Sequence, residues 1–447
     1  MKGRMQCSEE YIKAARFVAV QFKNFGLKPF NGDSMLRYFN DEYNQIKRAR
    51  MAMLNDDGYE VKVFKLGEDF VCRGFTGSGN VKGEVVFCGY GLRTAEYNDY
   101  QSIDVKNKIV MVFKTIPKWN RENGWGDTSP RAKARIAEEL GASAILFINQ
   151  PDELPQRILA GSVACGDKPH LPDFPMLQIG NHVASLLFEK LGQEIHQLYS
   201  EINDKHAPYS VELGSYLRIN VEAEYYPEKP TINVIGLLEG KDKKLKNEYI
   251  VVGAHLDHVG QQTDRLIFPG ANDNASGVAS IIEIAKAIQI SGYTLKRSIL
   301  FVAFSSEESG LRGSKNFIDF PPVPLDQIKI MLNFDCVGQG DSIAIGGKLS
   351  FPKLWQVAAG LDKKHTKLLS NKTFGGGGAD AEAFYREGIP TLYFNTSGGY
   401  KYLHLESDKT ETFNKSMYEK LTQLGFLTII ELANGKYKGE KDLLKMN

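Results

Sequence analysis

The feature that most constrains the fold is the alternation of apolar runs and amphipathic stretches in the second half of the chain. Short runs such as Tyr249–Ala254 are apolar throughout and are bounded by Gly or polar residues, which is typical of buried strands in a parallel sheet. Between such runs lie stretches with helical spacing, for example residues 276–290. Because strands that alternate with helices form sheets covered on both faces, we predict an α/β fold with a mostly parallel central sheet.

Length and composition indicate a two-domain globular protein. A chain of 447 residues exceeds one ordinary hydrophobic core. The net charge of +1 offers no basic field for nucleic acid, so we predict no such partner. No apolar run reaches the roughly 18 residues that a membrane-spanning helix needs. The sequence does not predict an oligomeric state.

The five cysteines are odd in number and scattered, without a CxxC pair. This pattern predicts neither a disulfide framework nor a structural zinc site built on thiolates. We expect free thiols.

The pattern changes between residues 58 and 216, which we predict to be a self-contained α+β insert. Apolar strands at 106–114 and 142–149 flank a helix that Ser129 caps, with Pro130 at its first position. Residues 1–57, including a helix from about Glu9 to Phe25, then form the first part of the domain that residues 217–447 complete.

Acidic and histidine residues follow the apolar strands of this second domain or lie in adjoining loops. In open α/β sheets, ligands bind at the carboxyl ends of the strands, so these side chains are expected to converge. Each alone is a weak signal, but together they offer oxygen and nitrogen ligands that suit zinc without cysteine. The residues are His255, Asp257, Asp273, Glu307, Glu308, Asp335 and His404. The sequence therefore predicts a metal site at this edge of the sheet.

Five motifs, AHLDH, GANDNASG, SSEESGLRGS, NFDCVG and the final His404 with Asp408, recur here in the order and spacing of a known family. The chain resembles the co-catalytic zinc aminopeptidases, typified by aminopeptidase Y and the bacterial leucyl aminopeptidases. Glutamate carboxypeptidase II, glutaminyl cyclase and the transferrin receptor share that fold. The insert is similar to the protease-associated (PA) domain of the family, which implies a PA domain at 58–216.

The resemblance implies two Zn²⁺ ions and a role for each residue. Asp273 would bridge the ions, His255 and Asp335 would complete one site, and Glu308 and His404 the other. A zinc pair activates a shared water, for which Glu307 would be the general base, while Asp257 would orient His255. The implied activity is removal of N-terminal residues from peptides.

Four further residues in or beside these motifs are interpreted as structural. His258 directly follows Asp257, but the family pattern does not use it, and we leave it out of the site. Ser276 is expected to cap the helix that starts at Gly277. Gly270 and Gly277 would permit tight backbone near the ions.

The substrate pocket is the part where the sequence departs from its relatives. Many of them place a Tyr directly before the last histidine, where Leu403 stands here. Tyr402 or Tyr400 would take its place, and we name Tyr402 and Asp380 as candidate substrate-binding residues.

Other functions on this fold are less well supported. A carboxypeptidase needs a cationic cluster for the substrate's carboxylate, and Arg265 and Arg312 lie near the motifs in sequence. A glutaminyl cyclase, which uses one zinc, would not need both His255 and Asp335. A receptor-like protein would have lost ligands, and none is missing.

The start of the chain resembles a segment that follows an export signal in the family, so we expect an exported protein.

Overall fold

The computed structural model describes residues 2–30, 32, 34–117, 119, 125–151, 159–166 and 168–439. The chain divides into two compact units. Unit 1 comprises residues 1–41, 228–260 and 268–447, and unit 2 comprises residues 42–227 and 261–267. The predicted insert boundaries, 58 and 216, fall inside unit 2 and stay a prediction.

Both units contain strands and helices. The strands are β1 (Leu36–Leu54), β2 (Glu60–Phe64), β3 (Phe70–Cys72), β4 (Gly79–Cys88), β5 (Ile109–Phe113), β6 (Ala144–Ile148), β7 (Met176–Ile179), β8 (Ser210–Leu238), β9 (Tyr249–His255), β10 (Gln261–Gln262), β11 (Leu266–Ile267), β12 (Ser298–Phe304), β13 (Ile328–Phe334), β14 (Ser342–Gly346) and β15 (Thr391–Ser397). The helices are α1 (Glu9–Asn24), α2 (Pro130–Glu139), α3 (Asn181–Phe188), α4 (Ile195–Lys205), α5 (Gly277–Ser291), α6 (Arg312–Asp319), α7 (Pro352–Lys364), α8 (Ala381–Arg386) and α9 (Lys415–Ala433).

The sheet of unit 1 is mostly parallel, as predicted. Its order is β14-β15-β13-β9-β12-β8. The pairs β9–β12, β9–β13 and β13–β15 are parallel, while β14 and the end of β8 pair antiparallel at the two sides. The carboxyl ends of β9, β12, β13 and β15 therefore meet at one edge of the sheet.

Helices cover both faces of this sheet. One face packs against α1, α5, α7 and α9, whose apolar side chains share a core with β9 and β12. Phe22 of α1 and Phe301 of β12 are fully buried there, with ring centroids 6.1 Å apart. The other face carries α6 and α8 over a second core that includes Phe304 and Phe384. The predicted α/β architecture is confirmed.

Unit 2 contains its own sheet, in which β4, β5, β6 and β7 run parallel. β3 pairs antiparallel with β7, and the first part of β8 pairs antiparallel with β4. Helices α3 and α4 contribute to the core on one face and α2 to the core on the other. Ser129 caps α2 by accepting a hydrogen bond from the Ala132 amide at 3.2 Å, and Pro130 is its first residue, as predicted.

Two findings concern the whole of the described chain. Among its helices, none is both long enough and apolar enough to cross a membrane. None of the five cysteines, all of which are described, forms a disulfide, as the sequence predicts.

Candidate metal centre

The strand ends of unit 1 deliver the chemically active side chains to one place. His255 is the last residue of β9, and Glu307 and Glu308 follow the end of β12. Asp335 directly follows β13, and His404 lies in the segment after β15. Because these strands are parallel neighbours, side chains distant in sequence come within contact distance.

Asp273 reaches the same place from an irregular turn before α5. Its backbone, with φ −108° and ψ 98°, departs from the helical geometry of the surrounding turn at 271–276. Gly270 opens the turn with φ +62°, and a Cβ on it would lie 2.4 Å from both the Asp273 carbonyl oxygen and the His258 ring. Only glycine accommodates that approach, as the sequence predicts.

The capping prediction for Ser276 is wrong. Ser276 has helical backbone angles, and its hydroxyl donates to the Asn272 carbonyl at 2.6 Å. The Gly277 amide instead donates to Oδ1 of Asn274 at 2.8 Å. Asn274 takes the capping role because the turn places its side chain, and not that of Ser276, beside the first amide of α5.

Four side chains form a first group of possible metal ligands, His258, Asp273, Glu308 and His404. Nε2 of His404 lies 2.9 Å from Oε2 of Glu308 and 3.2 Å from Oδ2 of Asp273. Nδ1 of His258, a residue left out of the sequence-based site, lies 3.0 Å from Oε1 of Glu308. All but His404 are almost fully buried.

Three side chains form a second group, His255, Asp273 and Asp335. Nε2 of His255 lies 3.3 Å from Oδ1 of Asp273 and 3.3 Å from Oδ1 of Asp335. Asp273 therefore belongs to both groups, with Oδ1 facing one and Oδ2 the other. The structure brings together all five predicted ligands.

The donor set fits metal ions. Zinc bound at about 2.0–2.2 Å in tetrahedral geometry separates its ligand atoms by about 3.3 Å, and the observed separations within the groups are close to this. Imidazole nitrogens and carboxylate oxygens are ligands that zinc accepts.

Electrostatics favour cations at this position. Burial lowers the pKa of His255, but the carboxylates of Glu307, Asp273 and Asp335 outweigh it and hold that pKa well above its usual value. Burial raises the pKa of Asp273, but His258, His255 and His404 outweigh it and hold the pKa well below its usual range. The negative potential that favours protons on these imidazoles also favours divalent cations.

Asp257 ties two of the strand ends together. Its Oδ1 accepts from the Glu307 amide and its Oδ2 from the Glu308 amide, each at 3.2 Å. Nδ1 of His255 lies 3.2 Å from the Asp257 carbonyl and 3.8 Å from its Oδ1. Asp257 thus positions the loop that carries both glutamates as well as the ring of His255.

Glu307 lies in this loop without being part of either group. Burial raises the pKa of the Glu307 carboxyl well above its usual value, and the charges of Glu308, Asp335 and Asp380 raise it further against His255. A carboxyl group in such surroundings is ready to accept and release a proton.

Arg4 and Asp408 hold the loops of the site, and sequence reasoning assigned neither role. Arg4 is buried and donates to the carbonyls of Leu256, Pro269 and Gly270 at 2.7–2.9 Å. The Asp408 carboxylate accepts a hydrogen bond from the Asp273 amide at 3.0 Å. It also accepts hydrogen bonds from the backbone amide of Asn272 and from Nε2 of Gln339. The motif around His404 already contained Asp408, but Arg4 precedes every motif and no pattern marks it.

The tyrosines near His404 differ in their surroundings. Tyr393 donates to Oδ2 of Asp335 at 2.6 Å, and the Tyr400 hydroxyl lies 3.2 Å from that of Tyr393. The ring of Tyr402 instead lies 5.1 Å from Nζ of Lys401. Tyr400, and not Tyr402, is therefore linked to the metal-binding groups.

Asp380, the other predicted substrate contact, is fully buried at the start of α8. Burial raises the pKa of its carboxyl to about 6. A direct contact between Asp380 and substrate stays a prediction.

The sheet and the two groups of candidate ligands at its edge are the arrangement that a metallopeptidase requires. The family model of peptidase family M28 matches residues 233–428 of the chain, and the model of the PA domain matches residues 74–187. The predicted resemblance is confirmed at the level of the family and of the PA domain.

Aminopeptidases are among the curated relatives. The chain is 24% identical to aminopeptidase YwaD of Bacillus subtilis over 405 residues, which cover 86% of this chain and 75% of YwaD. It is 27% identical to leucine aminopeptidase 2 of Trichophyton equinum over 256 residues, which cover 57% of this chain and only 41% of that protein.

Solved structures share the fold over nearly the whole chain. An aminopeptidase from Aneurinibacillus sp. strain AM-1 superposes with a TM-score of 0.67 and 20% identity, covering 98% of this chain and 92% of that one. A peptidase M28 precursor from Shewanella amazonensis superposes with a TM-score of 0.68 and 18% identity, covering 98% and 91%. At these identities the likeness establishes the fold alone.

Proposed function

We propose that this protein is a zinc aminopeptidase that holds two zinc ions across Asp273. The observation that carries the proposal is the placement of the two Asp273 oxygens, one toward His255 and Asp335 and one toward Glu308 and His404. The names of the relatives, among them a zinc aminopeptidase from Bacillus subtilis, support both the metal and the reaction.

Bound zinc would supply Lewis acidity, which polarises the scissile carbonyl and lowers the pKa of a water molecule. His255, Asp335, Glu308 and His404 would hold the ions, with Asp273 shared between them. Asp257 keeps the Glu307–Glu308 loop against the sheet edge through its two amide hydrogen bonds.

Glu307 is the proposed general base. Glu307 directly precedes Glu308 in the chain, and the charges of His255 and Asp335 act on its carboxyl group. It nevertheless belongs to neither group of ligands. It would take a proton from the attacking water and deliver it to the leaving amine, so that one carboxylate serves both proton transfers.

The placement of two arginines favours an amino end of the substrate over a carboxyl end. Among the described residues, the arginines considered for a carboxypeptidase are committed elsewhere. Nε of Arg312 lies 3.2 Å from Oδ1 of Asp41, and Arg265 belongs to unit 2 with a side chain that is 88% exposed. Two bound Zn²⁺ ions would balance the carboxylates of the site, so the preference for an amino end is supported by the placement of these arginines and by the aminopeptidases among the relatives.

The test is a panel of peptides with free or acetylated N-termini, followed by mass spectrometry with and without a chelator. We expect stepwise loss of N-terminal residues from the free peptides only, abolished by the chelator and restored by zinc. Loss of C-terminal residues, or cleavage of the acetylated peptides, would identify a different peptidase.

Export from the cell remains a prediction, which fractionation of the producing cells tests.

A further inference from the structure

His258 lies inside the first group of ligands rather than beside it. Its Nδ1 is 3.0 Å from Oε1 of Glu308 and 3.4 Å from Oδ2 of Asp273. The side chain is fully buried, and its ring stands 5.4 Å from that of His404, centroid to centroid. Gly270 leaves the room for this ring, because a Cβ there would lie 2.4 Å from Cγ of His258.

The separations around Nδ1 of His258 match those around Nε2 of His404. His404 lies 2.9 Å from Glu308 and 3.2 Å from Asp273, against 3.0 Å and 3.4 Å for His258. Both imidazoles therefore face the same pair of carboxylates, at the distances that ligands of one zinc ion keep from each other.

The other ring nitrogen of His258 makes no competing contact with the described residues. Nε2 is buried and has no hydrogen-bond partner among the described residues. A neutral imidazole that binds a cation through Nδ1 carries its proton on Nε2, so the ring can present its lone pair to the group without displacing another contact.

We infer that His258 is a fourth protein ligand of one metal site, which makes the two sites of the centre unequal. One site has His258, Asp273, Glu308 and His404, and the other has only His255, Asp273 and Asp335. Zinc sites with four protein ligands are closed, whereas sites with three keep a position open. The first site therefore fills first and holds its ion more tightly, and the second keeps the open position.

A role for His258 as a hydrogen-bond donor alone is the competing interpretation. In that case the protonated Nδ1 would orient Oε1 of Glu308, and loss of the contact would cost about 10–100-fold in metal affinity. An asparagine at 258 separates the two roles, because its amide nitrogen can occupy the place of Nδ1 and donate to Glu308 but is a poor zinc ligand.

The inference rests on the proposed metal centre, and its experiment measures metal binding and not peptide cleavage. Metal-free protein is titrated with zinc against a chromophoric chelator, for the wild type, His258→Asn and His258→Ala. His365→Asn serves as the matched control on an exposed histidine of the same unit. Circular dichroism of the metal-free variants verifies that they fold.

We expect two unequal affinities in the wild type and in His365→Asn. Both His258 variants should lose more than about 100-fold at the tighter site, beyond the cost of a lost hydrogen bond. X-ray absorption with one equivalent of zinc should count two imidazoles per ion in the wild type and one in His258→Asn.

Two results would overturn the inference. One is wild-type affinity in His258→Asn, and the other is a single imidazole per ion in the wild type at one equivalent. Neither result touches the proposed peptidase activity, which the peptide panel tests separately.

Discussion

At the scale of single residues, a substitution of Glu307 distinguishes the proton transfer from metal binding. Its carboxylate belongs to neither group of ligands, so Glu307→Gln should keep the zinc content of the wild type. The same change removes the proton acceptor and should lower kcat by about 10²–10⁴-fold. The measurements are kcat on a free peptide and zinc content by elemental analysis, with the exposed Glu406→Gln as control. Normal turnover in Glu307→Gln would remove it as the base.

Tyr400 is the residue that we expect to replace the tyrosine missing before His404. Because Tyr393 donates its proton to Asp335, Tyr400 is the donor in the 3.2 Å contact between the two hydroxyls, and its proton would turn from Tyr393 toward the negative charge that develops on the substrate. Tyr400→Phe should therefore lower kcat by about 10–10³-fold with little change in KM.

Tyr402→Phe is the matched control, because the ring of Tyr402 lies 5.1 Å from Nζ of Lys401. Kinetics of the two variants on one peptide decide between them. A larger loss of kcat in Tyr402→Phe than in Tyr400→Phe would contradict the assignment.

At the scale of elements, the sequence revealed the strand ends and not the contacts that join them. The runs behind β9, β12, β13 and β15 are apolar and short, so their periodicity and bounding residues marked them directly. Topology followed because strands joined through helices run parallel. Its motif, which lies between a strand and a helix, also predicted that Asp273 would lie at the carboxyl edge of this sheet.

The remaining features of the site depend on three-dimensional contacts. Nothing in the sequence distinguished Asn274 from Ser276 as a cap, since both residue types cap helices. Arg4 and His258 act through backbone carbonyls and side chains that are remote in sequence or outside the family pattern. Such roles require the folded geometry.

The free energy of unfolding of unit 2 should depend on pH through the buried carboxyl group of Asp99. Asp99, which follows β4, is buried, and its Oδ2 accepts from the amides of Tyr90 and Leu92 at 3.1 and 3.0 Å. Burial raises the pKa of Asp99 to about 7, above its unfolded value of about 3.9. Between about pH 4 and pH 7 the folded state thus binds more protons, so its free energy of unfolding falls as pH rises.

Asp99→Asn keeps an oxygen acceptor and cannot ionise. Relative to the wild type, the variant should gain on the order of a few kcal/mol in the free energy of unfolding of unit 2 as pH rises through that window. Denaturant midpoints at several pH values measure this, with the exposed Asp173→Asn as control. A difference between variant and wild type that does not change with pH would contradict the raised pKa.

At the scale of the whole molecule, zinc should stabilise one unit and not the other. Every candidate ligand lies in unit 1. Ligand binding to the folded state alone adds about 2.7 kcal/mol at a concentration 100 times Kd. Calorimetry with added zinc should therefore raise the Tm of the unit 1 transition, and a chelator should lower it.

The unit 2 transition serves as the internal control, and it should stay in place. Equal shifts of both transitions, or a single transition that ignores zinc, would show that the metal does not bind within unit 1 as proposed.

The central claim is that one carboxylate, Asp273, joins two metal sites. Elemental analysis of zinc in the purified wild type and in Asp273→Ala tests it most directly, with circular dichroism to verify folding. We predict two zinc ions per chain in the wild type and at most one in Asp273→Ala, because both groups lose a ligand at once, which leaves two ligands in one group and three in the other. Two zinc ions retained in a folded Asp273→Ala protein would contradict it.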